Sequence, residues 1–152
     1  MIKYDHVYRK KISEFSFGEL DETLLKELFK DGRIISRFLE RSLENWFPEL
    51  EFVDGIGYDH IHKKTQQKFD CKIFGKYGAK LMPSHMIGAG RQLDMPKAHK
   101  HAKKIDYIIV DILSFPNLFV IFKKGGDIST AYKSLVVPVK QRKELFNGLV
   151  HS

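Results

Sequence analysis

The sequence predicts an α/β (α+β) domain in which a central mixed β-sheet is flanked by helices. Three observations lead to this fold class. Two amphipathic helical patterns precede residue 47, two alternating segments are joined by a polar turn, and residues 105–113 form a nearly continuous apolar run. Such a run is typical of a central strand that is covered on both faces. The chain has 152 residues without a repeat or linker, so we expect one domain over residues 1–152.

Helices are predicted at three places. Asp21 is a suitable cap for a first helix, and a second helix is expected over residues 33–46, where Pro48 ends it. The basic segment 94–104 can form a third helix, and two short helices are expected around residues 136–139. Residues 1–20 mix charged and aromatic side chains and predict no definite element.

Strands are predicted over residues 50–53, 58–62, 68–74 and 118–122, in addition to the apolar run. The polar residues 63–67 form the turn between the second and third of these strands. Residues 75–92 are rich in glycine and are expected to form a loop. The order of helices and strands indicates a sheet of mixed direction.

Charge and composition narrow the functional classes. Lys and Arg total 26 against 19 Asp and Glu, a formal charge of +7, which favours a polyanionic partner, either nucleic acid or an anionic membrane surface. Cys71 is the single cysteine, so neither an internal disulfide nor a structural zinc site can form. With no signal-like or membrane-length apolar run, we expect a cytoplasmic protein that does not enter a membrane.

The chemistry is concentrated around Asp59 and the triplet Asp70-Cys71-Lys72. Side chains alternate along a strand, so Asp70 and Lys72 share one face while Cys71 points to the core on the other. If the turn is centred between residues 64 and 65, Asp59 lies directly across from Asp70. Two facing carboxylates repel, and a hard divalent cation such as Mg²⁺ removes the conflict. Lys72 beside it could orient water and stabilise developing negative charge.

These residues resemble the PD-(D/E)xK nuclease superfamily, which includes many type II restriction endonucleases and Holliday-junction resolvases. Tyr58 stands where the motif has proline. The resemblance covers about residues 33–124 as a catalytic core and implies a restriction-endonuclease-like fold. It implies a metal-dependent endodeoxyribonuclease that uses Mg²⁺, for which Mn²⁺ can substitute. Asp59 and Asp70 would be the metal ligands, and Lys72 would assist the attacking water.

Many members of that superfamily also place a glutamate on the helix before the hairpin. Glu40 lies at the edge of the apolar face of the second helix, where it could point inward. Glu44, one turn further on, faces solvent more squarely. We therefore expect Glu40 to be the fourth catalytic residue.

The remaining basic residues predict a DNA-contacting surface. Arg91 follows Gly88 and Gly90, and glycines beside an arginine suit a loop that approaches a phosphate backbone or a guanine edge. The third glycine of a dinucleotide-binding fingerprint is missing. The expected DNA-binding residues are Lys76, Lys80, Ser84, Arg91, Lys97, Lys100, Lys103 and Lys104.

Two alternative sites fit the sequence less well. The string Asp59-His60-Ile61-His62 is similar to the start of an HNH nuclease motif, but no asparagine lies between Asn45 and Asn117. His60 and His62 could bind a transition metal, although no third nitrogen or sulfur ligand is near in sequence.

The function expected first is a type II restriction-type endonuclease that acts on double-stranded DNA. A structure-selective nuclease such as a junction resolvase and a non-catalytic DNA-binding module are the alternatives. One site cuts one strand, so a homodimer is expected for cutting both.

Overall fold

The fold is mixed α+β, and a computed structural model describes it for residues 1–86, 90 and 93–147. Strands are β1 (Val7–Lys11), β2 (Leu50–Gly55), β3 (Tyr58–His62), β4 (Lys68–Phe74), β5 (Ala79–Lys80), β6 (Asp106–Asp111), β7 (Asn117–Lys124) and β8 (Val136–Val137). Helices are α1 (Glu22–Leu28), α2 (Gly32–Trp46), α3 (Met95–Ala102), α4 (Gly125–Ala131) and α5 (Arg142–Leu145).

Six strands form the central sheet in the order β1-β7-β6-β4-β3-β2, while β5 and β8 pair separately. The strands β2, β3 and β4 follow one another as an antiparallel meander. The chain then passes through α3 and returns as β6, which pairs with β4 in parallel. All six residues of β6 are buried, which confirms the central strand expected from the apolar run.

Helices cover both faces of this sheet. Leu39 and Leu43 of α2 belong to a buried cluster with Phe69 on one face, and Cys71 packs against it. Ala98 of α3 belongs to a second cluster that includes residues of β4 and β6. The predicted core position of Cys71 is therefore confirmed, and alternation along β4 assigns Asp70 and Lys72 to the opposite face.

Local signals located most of the elements that position the site. The hairpin strands have the bounds 58–62 and 68–74 that were predicted. Asp21 caps α1 by accepting from the Leu24 backbone N–H, and Asp94 caps α3 in the same way through Lys97. The expected two short helices around residues 136–139 are α4 and α5.

Strand β1 was not predicted. It is an edge strand in which Val7 alone is fully buried, and three of its five residues are Lys or Arg. Charged residues are common on edge strands because they discourage pairing with a further chain. Of the helices in the described part of the chain, none is long and apolar enough to cross a membrane.

A buried ion pair joins α5 to the end of β6. The side chain of Asp111 is fully buried, and Arg142 donates to both of its oxygens at 2.5 and 3.2 Å. The backbone N–H of Leu113 donates to Asp111 as well, and Ser114 accepts a hydrogen bond from Arg142. This carboxylate is thus fully surrounded by donors.

Candidate functional site

The site lies where β3 and β4 separate. The pairs His60↔Phe69 and Ile61↔Lys68 confirm a turn centred between residues 64 and 65. The pairing stops there, and the next free N–H on β4, that of Cys71, donates to Oδ2 of Asp59 at 2.9 Å. A side-chain oxygen therefore takes the place of a backbone acceptor, and the hairpin opens beside Asp59 and Asp70.

A small cavity of about 210 Å³ occupies this opening. Its walls bring together three acids predicted from the sequence: Glu40 from α2, Asp59 from β3 and Asp70 from β4. The full lining comprises Arg37, Glu40, Asp54, Gly55, Gly57, Tyr58, Asp59, Asp70 and Ser84. Because the hairpin is open, a carboxylate from a covering helix and two from the strands can line the same space.

Asp70 is the most strongly perturbed group of the site. Asp70 as a whole residue is only 6% exposed. Burial raises the pKa of Asp70 to about 7, Lys72 opposes the rise, and the neighbouring Asp59 adds to it. A carboxyl with this pKa holds a proton or a cation readily near neutral pH.

Lys72 is held beside Asp70 by two contacts. Its Nζ lies 3.2 Å from Oδ2 of Asp70 and donates to the carbonyl of Met82 at 2.8 Å. The side chain is 13% exposed, so the ammonium is fixed rather than free in solvent. Its position next to an acid of the cavity agrees with the expected location, although Lys72 is not itself part of the cavity wall.

Glu40 enters the cavity from α2, whereas Glu44 does not line it. The pKa of Glu40 is raised by its burial and by the charge of Asp59. Arg37 donates to Glu40 at 3.3 Å and to Asp54 at 3.2 Å. The sequence interpretation missed Arg37, even though its position one helical turn before Glu40 is a signal for such a contact.

The histidines of β3 have ordinary structural partners. His60 is fully buried and its Nε2 donates to the carbonyl of Glu40 at 2.7 Å, which ties β3 to α2. His62 accepts through Nδ1 from the N–H groups of residues 64 and 65 in the turn. The Nε2 of His60 and the Nδ1 of His62 therefore help to fix the hairpin, whereas the Nδ1 of His60 is buried without a hydrogen-bond partner.

The donor set suits a hard cation held by few protein ligands. Across the described residues, no three His, Cys, Asp or Glu side chains form a group able to hold a metal ion by themselves. Mg²⁺ does not require such a cage, since it commonly uses one or two carboxylates and completes its shell with water and phosphate oxygens. Asp59 and Asp70, which adjoin in the cavity, are the residues that fit this pattern.

The turn between β2 and β3 forms one rim of the cavity. Gly57 has φ +79°, and a Cβ added to it would lie 2.6 Å from the ring of His101. A Cβ added to Gly55 would lie 2.4 Å from the ring of Tyr58. His101 also donates from Nε2 to the carbonyl of Gly57 at 3.0 Å, so α3 is fastened directly to this turn.

A basic groove of about 590 Å³ lies along α3 and is lined in part by His101. Its lining is Asp94, Pro96, Lys97, Lys100, His101 and Lys104. Three of the expected DNA-binding lysines are therefore brought together beside the acid cavity. His101 lies close to charged groups, since its pKa is lowered by burial and by the charges of His85, Lys72 and Lys104.

The other expected DNA-binding residues lie elsewhere. Lys103 is exposed at the end of α3, and Lys76 and Lys80 are exposed before and on β5, outside the lining of both cavities. Ser84 lines the acid cavity rather than the lysine groove. Arg91 lies outside the described residues.

No protein-family model, curated protein or solved structure matches the chain. The arrangement of its own side chains is therefore the basis for assigning a function.

Proposed function

We propose that this protein is a Mg²⁺-dependent endonuclease that hydrolyses phosphodiester bonds in double-stranded DNA. The observation that carries the proposal is the opened β3–β4 hairpin. It gathers Glu40, Asp59 and Asp70 around one cavity and places the ammonium of Lys72 3.2 Å from Asp70. Paired carboxylates with an adjacent ammonium are the groups that metal-assisted phosphodiester hydrolysis needs.

Asp59 and Asp70 are the proposed ligands of Mg²⁺, with Mn²⁺ as a substitute. A metal held by these two carboxylates would supply polarisation of the scissile phosphate and a lowered pKa for water. Lys72, fixed by the Met82 carbonyl, orients the attacking water and stabilises negative charge that develops on the phosphate. Glu40 has a raised pKa and therefore accepts a proton from water more readily than an ordinary glutamate does.

The lysine groove on α3 supports a nucleic-acid substrate. Lys97, Lys100 and Lys104 line it, and His101 connects its wall to the turn that borders the acids. A phosphate backbone bound along the groove would bring a phosphodiester to the cavity. Such contacts neutralise phosphates without reading base sequence.

The meander β2-β3-β4, followed by α3 and the parallel strand β6, supports the restriction-endonuclease-like fold that the resemblance implies. A restriction-type enzyme that cuts both strands would act as a homodimer, because each chain has one such cavity among its described residues. Sedimentation at cleavage concentrations, with and without DNA, tests this. Discrete fragments from linear DNA favour the restriction-type enzyme, and preferential cutting of four-way junctions favours the structure-selective alternative.

The proposed activity is tested by nicking of supercoiled plasmid with Mg²⁺, Mn²⁺ or EDTA. We expect the wild type to nick in either metal and to be inactive in EDTA. Asp70→Asn and Lys72→Met should each lower the rate by about 10²–10³-fold, because each removes a group that acts on the transition state. Asp127→Asn, on an exposed acid of α4, is the matched control and should retain the wild-type rate.

The same variants separate the nuclease from a non-catalytic DNA-binding module. Asp70→Asn should bind duplex DNA as tightly as the wild type, since the side chain of Asp70 is only 9% exposed and lies outside the lysine groove. Binding without any metal-dependent nicking by the wild type would contradict the proposal and support the module. Nicking that persists in EDTA would contradict the metal assignment.

A further inference from the structure

Ile56 is an exposed apolar side chain at an unusual place. It stands at the tip of the β2–β3 turn and is 85% exposed. Gly, Asn, Asp and Ser dominate such turns, because their conformational freedom or local hydrogen bonds suit them. Other large apolar side chains of the protein are exposed as well, so it is the position of Ile56 that sets it apart.

The turn has contacts with both cavities. Gly55 and Gly57, the neighbours of Ile56 on either side, both line the acid cavity. The carbonyl of Gly57 accepts from His101, and His101 lines the lysine groove. A DNA strand that extends from the groove to the acids would therefore run close to the turn that carries Ile56.

The turn is also held firmly. On one side Arg37 donates to Asp54 at 3.2 Å, and on the other His101 donates to Gly57 at 3.0 Å. The ring of Tyr58 occupies the space in which a side chain at residue 55 would lie. The Arg37–Asp54 pair is exposed and adds little, but these contacts tie the turn that carries Ile56 to both α2 and α3.

We propose that Ile56 determines substrate choice by contacting the face of an unstacked base, so that the site cuts DNA beside an interruption in base stacking. This inference rests on the proposed nuclease function. A methyl and methylene surface gains nothing from a phosphate, whereas it does pack against base faces, as apolar wedge residues do. In an intact duplex those faces are covered by their neighbours. A nick, gap, flap or branch point exposes them.

The test compares Ile56→Ser with the wild type on two DNAs of the same sequence, one an intact duplex and one with a single-stranded flap. We expect the wild type to cut the flap DNA faster. Ile56→Ser should lose roughly tenfold of that rate while its rate on the intact duplex changes little. Ile56→Leu should retain the preference. Phe17→Ser, at a residue that is 70% exposed between β1 and α1, is the control for loss of an exposed apolar side chain.

A second readout does not depend on cleavage. With 2-aminopurine at the flap junction and Ca²⁺ in place of Mg²⁺, wild-type protein should raise the fluorescence by unstacking the base, and Ile56→Ser should not. An unchanged flap preference and fluorescence rise in Ile56→Ser would overturn the role of Ile56 alone. Failure of the wild type to cut either DNA with Mg²⁺ would instead overturn the proposed nuclease.

Discussion

Two buried aspartates on neighbouring strands differ in their hydrogen-bond partners. They are Asp111 at the end of β6 and Asp70 in β4. Asp111 is fully buried but receives hydrogen bonds from Arg142 on both oxygens and from the Leu113 N–H. Asp70 has one cation, Lys72, which also donates to a carbonyl, and it faces another acid, Asp59.

The difference separates a structural charge from an available one. Burial raises the pKa of Asp111, but every hydrogen bond that it receives lowers it again. Burial also raises the pKa of Asp70, to about 7, and Asp59 raises it further instead of relieving it. A buried carboxylate that accepts hydrogen bonds on both oxygens gains little from a bound cation. A buried carboxylate with few hydrogen-bond donors is stabilised by one. The incomplete solvation of Asp70 is therefore what makes its corner a candidate site.

The largest expected effect is on stability at the Asp111 corner. Arg142→Ala leaves a fully buried carboxylate without its ion partner, which should lower the free energy of unfolding by about 3–5 kcal/mol. Lys72→Met should cost clearly less at pH 7, because Asp70 can take up a proton near that pH. Urea unfolding of both variants measures the contrast. Equal losses of unfolding free energy would show that Asp111 and Asp70 depend equally on their cationic partners.

The second prediction concerns the pH dependence of stability at Asp70. The folded pKa of Asp70, about 7, exceeds its ordinary value of 3.8, so the stability linked to this carboxyl is fully present below pH 3.8. It is lost as the pH rises towards 7. Asp70→Asn mimics the protonated form and should be more stable than the wild type at pH 8 by about 1–4 kcal/mol. The difference should disappear below about pH 4, as thermal unfolding across this range would show.

Added Mg²⁺ sharpens the same comparison. At pH 8 it should raise the melting temperature of the wild type by a few degrees, since ten times the dissociation constant adds about 1.4 kcal/mol. It should not raise that of Asp70→Asn. An equal rise in both proteins would mean that the ion binds elsewhere.

Much of the β3–β4 hairpin, which carries Asp59 and Asp70, could be predicted from local sequence patterns. The bounds of β3 and β4 and the centre of their turn were predicted, because alternation and a polar turn are encoded within a short stretch of chain. Those patterns brought Asp59 and Asp70 near each other. They did not predict that the pairing would end at His60 and that Asp59 would accept from the Cys71 N–H.

Contacts between distant segments could not be predicted in this way. Arg142 meets Asp111 across 31 positions of chain, and no spacing rule connects a helix residue with a strand end. Lys72 is fixed by the carbonyl of Met82, which lies in a segment that the sequence predicted only as a loop. Ser84 was assigned to the basic surface from sequence proximity, yet it lines the acid cavity.

A smaller effect is expected from the helix acids. Glu40→Gln should lower the nicking rate by roughly 10–100-fold, because Glu40 lines the cavity and its pKa is raised towards the working range of a proton acceptor. Glu44→Gln should leave the rate unchanged, since Glu44 pairs with Arg41 outside the cavity. A similar loss in both variants would assign Glu40 to helix stability only.

The smallest expected effect is on the salt dependence of DNA binding, and it tests which lysines belong to the site. Lys100 and Lys104 line the groove beside His101, whereas Lys103 lies outside it and Lys11 is on the far edge strand β1. Each lysine that neutralises a phosphate contributes about −0.9 to the slope of log affinity against log salt. Lys100→Ala with Lys104→Ala should therefore flatten the slope by about 1–2, while Lys103→Ala with Lys11→Ala should leave it unchanged.

Both double variants lose the same formal charge, so a difference between their slopes reports position rather than net charge. The loss of affinity in the groove variant should be similar for all DNA sequences, because backbone contacts carry no sequence information. Parallel titrations on flap and intact DNA extend the comparison to Ile56: the groove lysines should affect both substrates alike, and Ile56 only the flap. If both double variants flattened the slope equally, α3 would contribute only a diffuse positive surface, and no DNA strand would follow the groove to Asp59 and Asp70.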